Sequence, residues 1–251
     1  MATGKAIRVD NVTMAYGNFV VMRDLDFTLE AEQITVIMGG SGCGKSTLLR
    51  HMIGLLEPAK GDIFFGDTNF TSSTEDEQEA MKQNFGVLYQ GGALWSSMTL
   101  EENIALPLHH YTKLPEKEIR DVVGYKLALV GLAGFEDFLP GQISGGMRKR
   151  AALARAMALD PDFLFLDEPS AGLDPVTSQR LDELILQLRD TVGATIVVVS
   201  HELASIFTIA DKAVYLDAKS RTLLDMGKPD DLLENSPHAE VRTFLSRGAK
   251  T

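Results

Sequence analysis

Apolar residues alternate with polar ones through Ile7, Val9, Val12 and Met14, and again through Leu25, Phe27 and Leu29. A side-chain period of two puts such residues on one face, so Ile7 to Met14 and Val20 to Leu29 are predicted to be strands around the turn Tyr16-Gly17-Asn18. Ile34 to Met38 is instead a continuous, largely β-branched run ending in glycines, the pattern of a strand covered on both faces. Ser46 to Ile53 then reads as a helix closing at Gly54.

Strand signals follow at Asp62 to Phe65 and Phe85 to Tyr89, and the spacing turns helical from Thr99 to about Ala158, with stops expected at Pro107, Gly131 and Pro140-Gly141. Strands return at Phe163 to Leu166, Thr195 to Ser200 and Ala213 to Leu216, with helical stretches between. Strands alternating with helices predict an α/β fold with a mostly parallel sheet covered on both faces, and the helical block reads as an inserted lobe. Pro237 to Arg247 predicts a closing helix with Val241, Phe244 and Leu245 on one side, suited to packing on its own core more than to binding a partner.

Composition narrows the function. The 251 residues are 45% apolar, with only 9 prolines, which describes a folded globular chain. A surplus of 35 Asp and Glu over 24 Lys and Arg gives a net charge of −11 and counts against nucleic acid as a partner. The single cysteine, Cys43, fits a reducing cytoplasm. Met1 to Asp10 has no basic region followed by an apolar run, and no apolar stretch approaches the ~20 residues of a spanning helix. The expectation is a soluble chain that meets a membrane only through a partner.

Candidate chemistry begins where the first buried strand ends. Gly39-Gly40-Ser41-Gly42-Cys43-Gly44-Lys45-Ser46-Thr47 fits the phosphate-loop pattern G-x-x-x-x-G-K-[ST]. Its glycines let backbone N–H groups wrap an anion, the following helix adds the positive end of its dipole, Lys45 offers a point charge, and Ser46 offers a hydroxyl to Mg²⁺. Cys43 reads first as a small residue that fits the loop; a thiol activated by Lys45 and the helix N-terminus would instead be alkylated and protected by nucleotide. The strand Phe163 to Leu166 delivers Asp167, a carboxylate for Mg²⁺ through water, followed by Glu168, able to polarise an attacking water. Ile143-Ser144-Gly145-Gly146-Met147 opens a helix with Ser144 as its cap and makes a second anion site, suited to a neighbouring subunit's nucleotide.

These residues, in this order, resemble the ATP-binding subunit of an ABC (ATP-binding cassette) transporter over nearly the whole chain. Tyr16 matches the adenine-stacking aromatic, Gly39 to Thr47 match Walker A, and Gln90 matches the Q-loop glutamine that touches Mg²⁺. Ser144 to Met147 match the signature loop, Phe163 to Asp167 match Walker B, Ser170 to Asp174 match the D-loop, and His201 matches the switch histidine. The resemblance implies a P-loop NTPase (RecA-like) parallel-sheet core with an N-terminal antiparallel β-subdomain and an inserted α-helical subdomain. One ABC ATPase domain would then span 1–251. Its β-subdomain and core would occupy 1–90 and 159–235, the helical subdomain 91–158, and a C-terminal helix 236–251. It also implies a head-to-tail homodimer with ATP and Mg²⁺ between Lys45 of one subunit and the signature loop and Asp174 of the other. Glu168 would activate water, and His201 would contact the γ-phosphate.

The usual signature glutamine is replaced by Met147, which cannot reproduce its hydrogen bonds. The stretch from Ile143 to Ala151, together with Gln90 to Asn103 and Val241 to Leu245, is similar to the Mla/Mce lipid-transport branch. That similarity implies a transmembrane permease, an MCE-domain substrate-binding protein and a small STAS-like subunit as partners. It also implies a cytoplasmic, peripheral location on the inner membrane and a role in phospholipid transport and outer-membrane lipid asymmetry. An ABC transporter of another solute and a soluble assembly ATPase of the iron–sulfur scaffold type remain as alternatives. His109-His110 read as exposed residues at a helix end, Arg148 to Arg150 as charges offsetting phosphate at the dimer interface, and Glu75 to Glu79 as a solvated helix face.

Overall fold

The computed structural model describes residues 6–247. Its first strands, β1 (Ile7–Tyr16) and β2 (Phe19–Leu29), pair antiparallel, and β1 pairs on its other side with β4 (Lys60–Phe65), which carries the short β5 (Thr68–Asn69). A second sheet has the order β10-β9-β3-β8-β7-β6, made of β3 (Ile34–Gly39), β6 (Phe85–Leu88), β7 (Phe163–Asp167), β8 (Thr195–Val199), β9 (Lys212–Asp217) and β10 (Thr222–Gly227). All its pairings are parallel except that of β10 with β9.

Every residue of β3, β7 and β8 is buried. Their side chains alternate between two cores, as a period of two requires. Val36, Leu164, Leu166, Ile196 and Val198 face one, while Ile37, Phe163, Phe165, Val197 and Val199 face the other. The second core is closed by the antiparallel sheet and α1 (Lys45–Met52). The first is closed by α3 (Leu100–Tyr111), α4 (Glu116–Leu129), α5 (Gly145–Ala156), α6 (Pro175–Val192) and α7 (Leu203–Ile209), with α8 (Pro229–Asn235) and α9 (Ala239–Ser246) completing it.

Four features differ from the sequence reading or extend it. Pro107 does not stop α3; the helix runs through it to Tyr111 because a proline removes one intrahelical bond, and the packing of Ile104, Ala105 and Leu108 into the core outweighs that loss. Strand β10 gave no signal because all six of its residues are half-buried and show no alternation. Helix α2 (Glu75–Lys82) is the expected solvated helix, buries no residue and is held by a capping box between Thr74 and Glu77. Helix α9 buries Val241 and Leu245 in the core, as expected, while Phe244 stays half-buried against Tyr215 at 5.4 Å between ring centroids. Residues 248–251 of the expected C-terminal segment, and 1–5 of the first, lie outside the described residues.

Candidate functional site

Parallel strands bring their carboxyl ends to one edge, and there β3, β7 and β8 deliver the candidate residues. Strand β3 ends at Gly39, whose φ is +146. A Cβ there would lie 2.3 Å from the Leu216 carbonyl oxygen and 2.8 Å from Cys43 Sγ, so only glycine lets the loop turn against β9. Gly44 caps α1 with no side-chain hydrogen bond, and the first turn of α1 carries no acidic residue. Its N-terminal dipole is therefore open to an external anion. Lys45 is buried beneath the loop, its Nζ donating to the Gly39 and Gly40 carbonyls at 3.0 and 3.1 Å.

Ser46 Oγ donates to Asp167 Oδ1 at 2.8 Å, spanning 121 residues of sequence. Glu168 follows in a left-handed turn, φ +50, a conformation that costs a residue with a Cβ about 1–2 kcal/mol. The turn is held from both sides, since the Glu168 N–H donates to the Val199 carbonyl at 2.9 Å and Lys149 Nζ donates to the Glu168 carbonyl at 2.8 Å. His201 Nδ1 lies 2.7 Å from Glu168 Oε1, while Glu168 Oε2 is buried without a partner. The Walker A residues other than Cys43, together with Gln90, Glu168 and His201, line one cleft of about 580 Å³, and Asp167 lies behind Ser46 outside that lining. Such a volume suits a small-molecule ligand.

The remaining expected residues lie elsewhere. Ser144 caps α5 by accepting the Met147 N–H at 3.2 Å, and neither it nor Gly145, Gly146 or Met147 lines the cleft. Gly146 is required by a close approach, because a Cβ there would meet the Thr177 methyl at 2.5 Å and push α5 off α6. Asp174 caps α6 through Thr177 N–H and Oγ, at 3.1 and 2.6 Å, and these bonds hold its carboxyl below the usual range. Tyr16 ends β1 half-exposed, outside the cleft lining.

One expectation changes, that of the basic run Arg148 to Arg150, while Cys43 keeps its first reading. Cys43 is 1% exposed, and burial raises its thiol pKa against the opposing charge of Lys45, as suits a small residue that fits the loop and not an activated nucleophile. Only one of the three basic residues after the signature stays near the loop, because successive helical side chains point about 100° apart. Arg148 bonds the Ile143 carbonyl, Lys149 turns inward to Glu168, and Arg150 caps α4 through the Val130 and Gly131 carbonyls. His201 meets the buried carboxylate of Glu168 at the cleft. Sequence reasoning also missed Arg155, which holds the loop after Gln90 through the Gly92 and Ala93 carbonyls at 3.1 and 2.7 Å. His109 and His110 are exposed as expected, and no metal-binding cluster of three His, Cys, Asp or Glu occurs among the described residues.

Comparison with known proteins agrees with this geometry. The family model described as ABC transporter matches residues 22–171. A probable ribonucleotide transport ATP-binding protein, mkl, of Mycobacterium bovis is 43% identical over 97% of this chain and 67% of its own length. The intermembrane phospholipid transport system ATP-binding protein MlaF of Escherichia coli K12 is 39% identical over 94% of this chain and 86% of its own. Among solved structures, the dimeric ATP-binding cassette MJ0796 in a post-hydrolysis state with ADP and Pi overlays with a TM-score of 0.81. It is 27% identical and covers 88% of this chain and 98% of that one. With a P-loop cleft at the sheet edge and a family match across more than half its length, this chain belongs to the ABC transporter family and is an ATP-hydrolysing subunit of the Mla-like branch.

Proposed function

We propose that two copies of this chain bind two ATP molecules head to tail and drive a membrane permease that moves phospholipid. The observation that carries the dimer is the separation of donors within one chain. The cleft holds Lys45, Ser46 and Glu168, with Asp167 behind Ser46, while the helix N-terminus at Ser144–Met147 lies outside it. A second copy would supply that missing set, and the similar cassette MJ0796 is dimeric with ADP and Pi bound.

In this reading the loop N–H groups and Lys45 bind the β- and γ-phosphates, after Lys45 leaves the Gly39 and Gly40 carbonyls. Tyr16 stacks on adenine, and the partner copy's signature loop and D-loop close the site. Glu168 polarises the attacking water through its unpartnered oxygen, and His201 orients the carboxylate by its hydrogen bond. The donor set fits Mg²⁺, which favours a hydroxyl, one carboxylate and phosphate oxygens over an all-protein cage. Ser46 and Asp167, already 2.8 Å apart, would hold it with Gln90. The ion would neutralise charge on the transferring phosphoryl group. Hydrolysis then removes the γ-phosphate that joins the two copies, so opening follows chemistry.

No described helix is long and apolar enough to cross a membrane, so transport needs a permease. An apolar groove of about 580 Å³ between β6, α3 and α5 lies beside the Gln90 loop, lined by Tyr89, Leu106, Pro107, Tyr111 and Arg155, and the exposed Trp95 follows on that loop. This groove would seat the permease, placing the subunit on the cytoplasmic face of the inner membrane, with an MCE-domain protein and a STAS-like subunit as further partners. The segment 91–158 would then move as the helical subdomain against 1–90 and 159–235. The phospholipid cargo is supported by the Escherichia coli relative and by the branch-like stretches around Met147 and Trp95. The name of the mycobacterial relatives favours a second reading, a nucleotide-like solute.

Affinity purification from detergent-solubilised membranes, with mass spectrometry of proteins and lipids, separates the two. A permease with an MCE-domain protein and phospholipid supports the proposal. A permease with another solute discards the lipid, and a chain without any membrane partner points to an assembly ATPase.

A further inference from the structure

The signature helix carries a lysine that reaches into the other functional half of its own subunit. Lys149 lies on α5 just beyond Met147, and is 9% exposed. It forms no ion pair among the described residues; its Nζ is spent on the Glu168 backbone carbonyl, 2.8 Å away. Glu168 holds a left-handed φ of +50, which a residue with a Cβ keeps only where its surroundings fix it. The Val199 carbonyl fixes the Glu168 N–H, and the carbonyl takes its shorter bond from Lys149 and a longer one, 3.3 Å, from the Ala171 N–H.

We infer that Lys149 is a positioning residue for hydrolysis, holding the Glu168 turn in place and fastening it to the helix that begins with the signature loop. The inference rests on the reading of Glu168 as the group that activates water. Lys149 does not line the cleft and acts only through the Glu168 main chain. Without the ammonium the Glu168 carbonyl keeps only the longer bond from the Ala171 N–H, at 3.3 Å, and the strained turn relaxes toward ordinary φ, carrying the carboxylate off the line of attack. With it, a shift of α5 as Ser144–Met147 dock on the partner copy's nucleotide is a shift of Glu168 in its own site.

Steady-state ATP hydrolysis by the full chain tests this with Lys149→Met and Lys149→Arg. The Met variant should lose about tenfold or more in kcat, the usual scale for a charge-assisted hydrogen bond, with KM for ATP changed less than about twofold. The Arg variant, which keeps a charged donor, should recover about half the parent rate or more. In a Glu168→Gln background, Lys149→Met should still form an ATP-dependent dimer by light scattering, showing the fold and the signature helix intact. Parental kcat in the Met variant, an equal loss in Met and Arg variants, or failure of the double variant to dimerise would each overturn the inference. If Lys149→Met does not fold, Lys149→Gln replaces it and should give an intermediate kcat at unchanged KM; parental kcat there overturns the inference as well. Hydrolysis surviving in Glu168→Gln alone would remove the underlying reading instead, whereas a silent Glu168→Gln beside a fully active Lys149→Met removes only the role of Lys149.

Discussion

His201 Nδ1 lies 2.7 Å from Glu168 Oε1, joining the residue that follows β7 to the second residue after β8. The strands are in parallel register with Asp167 opposite Val199, so both chains leave the sheet at the same level and their next polar side chains converge. One carboxylate oxygen is thereby fixed while the other stays buried and unpaired. Glu168→Gln keeps the shape and loses the base, so ATP should bind and trap a dimer while hydrolysis falls by about a hundredfold or more. His201→Ala should lower kcat with ATP affinity retained, because it frees the carboxylate without touching the phosphate loop. Light scattering in saturating ATP checks the dimer; a Glu168→Gln monomer there would remove the composite site.

Met147 tests how much the signature loop depends on its last side chain. Its N–H is bonded to Ser144 Oγ at 3.2 Å and its thioether is partly buried against the helical core. Ser144, Gly145 and Gly146 keep their donors whatever stands at 147. Met147→Gln should therefore leave hydrolysis within several-fold of the parent, since a gained hydrogen bond is worth about 1 kcal/mol. A hundredfold change in kcat would show that the side chain at 147 governs the partner's nucleotide.

Cys43 gives a prediction opposite to that of an activated loop thiol. Its side chain lies in the core beneath the cradle with Leu48 and Leu216, and burial raises its pKa although Lys45 Nζ is 3.9 Å away. The folded protein should resist maleimide over times that label the denatured chain completely, and nucleotide should add no protection. Rapid labelling at Cys43 in the native state, read by peptide mass, would contradict this burial.

The phosphate loop and the buried strands were legible because their signals are local: glycines at fixed spacing, and continuous apolar runs at 34–38, 163–166 and 195–199. The convergence of Asp167, Glu168 and His201 followed from the rule that parallel strands end on one edge. Lys149 and Arg155 were not legible as anchors, because their acceptors are backbone carbonyls 19 and about 60 residues away, which leave no mark in the sequence. The route of α3 through Pro107 was hidden for a related reason, since the packing that carries it is tertiary. Nor does any residue pattern reveal that Arg150 caps α4 rather than facing a phosphate; the turn of α5 decides it.

Asp182 predicts a pH dependence of stability. It joins α6, which Asp174 caps, to α7, which follows His201, by accepting the Ser205 hydroxyl at 2.8 Å, while its other oxygen is buried and unpaired. Burial pushes its carboxyl up to about 6; the Ser205 bond opposes this, and the charges of Glu202 and Glu183 add to it. The folded pKa thus exceeds the unfolded one, so the folded state binds the proton more tightly. This contribution is complete below about pH 4 and is lost as pH rises through about 6. A shift of this size corresponds to at most about 3 kcal/mol. Asp182→Asn keeps an acceptor for Ser205 and removes the charge, so its melting temperature should exceed the parent's by a few degrees near neutral pH. The two curves should converge as pH falls toward about 4. Thermal denaturation followed across that range checks the sign, and a variant that melts below the parent at neutral pH would show that the ionised carboxylate holds α6 to α7.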